Sequence, residues 1–144
     1  MKKAQFLNLL VVIFATSSAL ADDIAPGLWE ISMESTVPSD AGWTPSSFNL
    51  TQCLTASDAK DPSRLIASMA VPGATGCQYT DKSYSGGNFR FALDCSGSFG
   101  LKVKGSVAFS TSTFNGAMTA TGIVIGSQPT VFQNQVSGKR IGGC

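Results

Sequence analysis

The chain has 144 residues, with 10 Lys and Arg against 9 Asp and Glu, four Cys and no His. That length supports one hydrophobic core and leaves no room for two, and the balanced charge offers no single-sign field for nucleic acid or an anionic membrane. The missing histidine excludes Ser/His and Cys/His catalytic pairs and any histidine metal ligand.

Residues 1–21 have the form of an export leader. Lys2 and Lys3 are followed by an apolar run from Phe6 to Ala15, and Ala19-Leu20-Ala21 puts small residues where a signal peptidase reads. The run is too short to cross about 30 Å of hydrocarbon. Cleavage is expected between Ala21 and Asp22. It leaves a single domain, 22–144, with no transmembrane segment and a periplasmic or secreted location.

The mature part reads as short strands separated by turns. Gly27–Ser35 alternates Trp29, Ile31 and Met33 with Glu30, Ser32 and Glu34. Val37–Ser47 holds Pro38, Gly42 and Pro45 and reads as a loop, and Phe48–Cys53 as a second strand. Thr55-Ala56-Ser57-Asp58 has capping-box form. Asp61-Pro62 is a second helix start, with Leu65, Ile66 and Met69 on one face and a stop before Pro72-Gly73. Gln78–Tyr84 and Asn88–Cys95 flank the turn residues Ser85-Gly86-Gly87, with Phe89, Phe91 and Leu93 facing one way. Leu101–Ser110 and Thr113–Gly122 form a hairpin about Thr111-Ser112. That turn sets Phe109 opposite Phe114, Val107 opposite Gly116, Gly105 opposite Met118 and Val103 opposite Ala120, large against small. Thr130–Arg140 adds a last strand.

The expected fold is all-β: an antiparallel meander of about seven strands curled into a barrel or half-barrel, with a short helical insertion between the second and third. Lys102 and Lys104 are exposed strand charges of the kind that discourage edge pairing. The inward set of Trp29, Phe89, Phe91, Phe109, Phe114 and Met118 is expected to fill the interior rather than surround a cavity.

Cys53, Cys77, Cys95 and Cys144 all follow the leader, at spacings of 24, 18 and 49. Zinc sites use close CxxC pairs, so two disulfides are expected. A plain meander brings the end of the second strand and the start of the third to one edge, which favours Cys53–Cys77 with Cys95–Cys144. The rival Cys77–Cys95 needs a three-residue turn at Ser85–Gly87, because a two-residue turn puts the pair on opposite faces.

Several of these residues resemble a known family. GLWE opens the mature domain, Gln52-Cys53-Leu54 precedes the helical stretch, Cys77 and Cys95 bracket a hairpin, and GKRIGGC, Gly138–Cys144, closes the chain. In their order and spacing they resemble the bacterial exported family catalogued as domain of unknown function 3617. The resemblance implies a Gram-negative periplasmic or secreted protein, and it carries over no catalytic, cofactor or metal residue.

No arrangement of carboxylates, Lys or Tyr stands out as catalytic. Glu30 and Glu34 lie about 13 Å apart along a strand, too far for a glycosidase pair, and read as a solvated face. No enzyme activity and no cofactor are expected. Trp43, in its Gly/Pro loop, is the candidate ligand or partner contact, and equally a lid over the core. Two function classes fit: a non-catalytic module binding an apolar small molecule or lipid in the curled sheet, or a cell-envelope interaction domain without small-molecule cargo. A pocket of about 300 Å³ or more favours the first, and a filled core with an exposed apolar patch favours the second.

Overall fold

Period-two alternation becomes strands wherever it runs. A computed structural model of the protein describes residues 24–38, 42–69, 74–123 and 128–144. The leader 1–21 and the helix stop at Pro72-Gly73 lie outside them. The elements are β1 (Gly27–Thr36), β2 (Phe48–Leu54), α1 (Ala56–Lys60), α2 (Pro62–Met69), β3 (Cys77–Ser85), β4 (Asn88–Cys95), β5 (Leu101–Phe109), β6 (Thr113–Gly122) and β7 (Thr130–Gly142). They form one seven-stranded sheet in the order β2-β1-β7-β6-β5-β4-β3, a curled and unclosed meander with the helices between β2 and β3. No helix among the described residues is long and apolar enough to cross a membrane.

All six ladders are antiparallel. With seven strands, the two edge strands β2 and β3 therefore run in the same direction. The chain leaves β2 at one end of the sheet and must enter β3 at the other, so the link spans the length of the strands and needs a crossover. The two helices supply it. Thr55 caps α1 in a full capping box: its hydroxyl accepts from the Asp58 N–H at 3.2 Å, and the Asp58 carboxylate accepts from the Thr55 N–H at 3.0 Å. The Thr55 hydroxyl also donates to the Asp58 carboxylate, at 2.8 Å, and this bond, with that from the Thr55 N–H, holds the Asp58 carboxyl below its ordinary value of 3.8. α2 then lays Leu65, Ile66 and Met69 into the concave face of the sheet.

That face carries Trp29, Ile31 and Met33 of β1, Phe89, Phe91 and Leu93 of β4, Val103, Val107 and Phe109 of β5, Phe114, Met118 and Ala120 of β6, and Val136 of β7, all buried. The Thr111-Ser112 hairpin has the expected register, with Phe109 opposite Phe114 and Val107 opposite Gly116. Small residues sit where large neighbours fold over them. The Phe114 ring lies where a Cβ on Gly138 would go, and it stacks on Trp29 at 5.6 Å. Lys102 and Lys104 guard no edge, since β5 is flanked by β4 and β6. Instead they stand on the outer face, where the Lys102 ammonium meets Asp94.

The disulfides are Cys53–Cys144 and Cys77–Cys95, not the pairing that the plain meander favours. Cys53 ends β2 and Cys77 begins β3, so the two lie at opposite ends and opposite edges of the sheet. β1 sits between β2 and β7, with Leu28 opposite both Cys53 and Gly142, so the end of the chain reaches across β1 to Cys53. The β3–β4 turn is in fact two-residue, Gly86-Gly87 at φ 59° and 72°, the positive angles that a tight hairpin needs. That turn alone would separate Cys77 from Cys95. A β-bulge at Thr80, between Tyr79 and Asp81, shifts the register by one residue and brings them opposite each other.

α2 is latched to the sheet by Tyr79, whose hydroxyl donates to the Ser63 carbonyl. Burial, reinforced by the Asp61 charge, pushes this phenol well above its ordinary value of 10.0. A raised folded-state value means stability that is intact below 10.0 and lost as pH rises beyond it. Tyr79→Phe should cost about 0.5–1.5 kcal/mol by removing this hydrogen bond, and should flatten this alkaline loss. Urea melts from pH 8 to 11 check both.

Gly116→Val should destabilise by about 1–3 kcal/mol, because its Cβ would lie 2.6 Å from Val107 Cγ2. An unchanged denaturation midpoint would contradict the β5–β6 register.

Candidate functional site

The open end of the half-barrel is where β1 finishes and β2 and β7 begin. Trp43 lies in the described part of the connection after β1, which holds Gly42 and Pro45. Trp43 is half-buried and packs against Phe132 of β7, ring centres 5.7 Å apart and planes at 55°. Ser35, Thr36, Val37, Pro38, Gly42, Trp43, Thr44 and Pro45 line an open hollow of about 360 Å³. Among the described residues, no charged side chain lines it.

Asn134 lies on β7, the last strand. It is 5% exposed, and its Oδ1 accepts no hydrogen bond. It faces the core because Phe132, Asn134 and Val136 share one face of β7. A polar residue at an inward position of the alternation was the signal available in the sequence. The neighbours in register are Ser35 on β1 and Met118 on β6.

Other hollows open on the outer face, which is polar. One of about 450 Å³ is floored by short side chains such as Ser106, Ala108, Asn115 and Ser137. Another, of about 480 Å³, is bounded by Asp81, Arg90 and Lys104. Glu30 and Glu34 are exposed on this same face. Among the described residues, no three His, Cys, Asp or Glu side chains come together to hold a metal ion.

The four cysteines serve the frame of this site. Cys77–Cys95 lies at the same end as Trp43, and Cys95 is fully buried. Cys53–Cys144, Cα atoms 5.7 Å apart, ties the far end. The model of the family described as "Protein of unknown function (DUF3617)" matches residues 24–144. The chain belongs to the DUF3617 family. The match spans every strand and both disulfides of this DUF3617 domain. No curated protein and no solved structure matches it.

Proposed function

We propose that this protein is an exported, non-catalytic binding module that takes an apolar small molecule or a lipid chain at the open end of its curled sheet. The observation that carries the reading is the hollow beside Trp43: about 360 Å³, lined in part by a half-buried indole, with no charged side chain among the described residues that line it. This is the size of a small-molecule pocket. The leader form of residues 1–21 and two disulfides support passage through an oxidising compartment. The non-catalytic reading draws on the absence of histidine and on Tyr79, whose strongly shifted hydroxyl is already engaged by the Ser63 carbonyl.

A second reading, an envelope interaction domain without cargo, is favoured by one specific feature. Phe99 is 75% exposed at φ 52°, a costly angle for an aromatic residue. Its carbonyl accepts from the N–H of Ile123, itself 45% exposed.

Mass spectrometry of the protein recovered from the periplasm of a Gram-negative host tests the proposal. The expected chain begins at Asp22 and carries an apolar molecule, which Trp43→Ala depletes by about tenfold while the disulfides stay intact. An unprocessed chain, or a processed one with no cargo, would overturn the proposal, and the latter favours the second reading.

A further inference from the structure

The connection between β4 and β5 holds an aromatic ring in solvent at a conformational cost. Phe99 is 75% exposed and sits at φ 52°, the left-handed region that a bulky side chain rarely adopts. The turn around it is braced. The Ser98 N–H donates to the Cys95 carbonyl at 3.1 Å, and the Leu101 N–H to the Ser98 carbonyl at 2.9 Å. Thr75, just before β3, donates its N–H to Ser98 Oγ at 2.9 Å and its hydroxyl to the Gly97 carbonyl at 3.2 Å. The Cys77–Cys95 disulfide closes the base. Strain persists where the surrounding structure imposes it, and an outlier so imposed points to a use.

The turn projects, and its surroundings are uncharged. A Cβ on Gly100 would meet nothing within 4 Å. Ile123, whose N–H donates to the Phe99 carbonyl at 3.2 Å, is also exposed. The sequence holds no charged residue between Lys104 and Lys139, a span that takes in all of β6 and the connection after it. The charges at the neighbouring ends of β4 and β5, Asp94 and Lys102, pair with each other. Phe99 and Ile123 together offer roughly 200 Å² of apolar surface, against about 800 Å² on each side of a stable protein interface. A bilayer needs neither that area nor a matching shape, and it accepts a projecting apolar side chain where no charge is dragged in with it. We propose that the Phe99 turn inserts into the surface of a lipid bilayer, with Ile123 beside it. The turn carries no cation to attract anionic head groups, so a zwitterionic surface suffices. The turn lies at the same end of the sheet as Trp43, so docking turns the open end toward the lipid. The proposal rests on the surface that favours the second reading above and names its partner. It holds whether or not the hollow carries a molecule.

Flotation of the disulfide-bonded protein with phosphatidylcholine vesicles tests it. The wild type should float with the vesicles equally at low and at high salt. Phe99→Gly should lower the bound fraction about tenfold, while the melting temperature holds or rises because glycine adopts this φ freely. Phe99→Leu should keep most of the binding. A wild type that does not float, flotation abolished by salt, or flotation unchanged in Phe99→Gly overturns the proposal. Self-association that Phe99→Gly abolishes, without flotation, also overturns it and leaves the interaction reading with a second copy as the partner. Ile123→Ser, outside the strained turn, should weaken flotation too, and it decides if Phe99→Gly fails to fold.

Discussion

An odd number of strands joined only by antiparallel ladders leaves the two edge strands parallel, and the rest of this molecule follows from that constraint. β2 and β3 point the same way across the opening of the sheet. No tight turn can link two parallel strands, so the chain spends two short helices on the crossing. α2 crosses over the concave face rather than outside it, because Leu65, Ile66 and Met69 need burial. The same constraint sends the end of β2 and the start of β3 to opposite ends of the sheet. One disulfide therefore staples each end, and a bond between Cys53 and Cys77 is geometrically closed off. Of the two, Cys53–Cys144 spans 91 residues and Cys77–Cys95 spans 18. In the chain-entropy picture the longer loop restricts the unfolded chain more, by about 1.4 kcal/mol.

Curvature comes from side-chain size. Gly105, Gly116 and Gly138 sit beneath Met118, Val107 and Phe114, where a Cβ would collide, and the sheet closes inward over them. The resulting interior is filled by its own aromatic and aliphatic residues. Among the described residues of the sheet, Asn134 is the buried polar one, at an inward position where an apolar residue would be more stable.

Much of this was legible before the structure. Strand phase follows from alternation in β1, β4, β5 and β6, because one face is buried and the period is two. Turn chemistry set the Thr111-Ser112 register, and capping residues located both helices. What could not be read locally was long-range order. Nothing near Gly27–Thr36 announces that β1 lies between β2 and β7, since pairing across the whole chain leaves no local signature. The bulge at Thr80 was equally silent, as it adds one ordinary residue, yet it decides which cysteine faces Cys95. Trp43 was singled out from its Gly/Pro loop. Asn134 was passed over because alternation was not followed through the last strand.

The placement of β1 between β2 and β7, with helices bridging parallel edges, is the claim on which the site depends. Peptide mapping of the unreduced protein tests it most directly. The account predicts linked peptides joining Cys53 to Cys144 and Cys77 to Cys95. A linked Cys53–Cys77 peptide would bring the edge strands together at one end of the sheet and contradict the strand order.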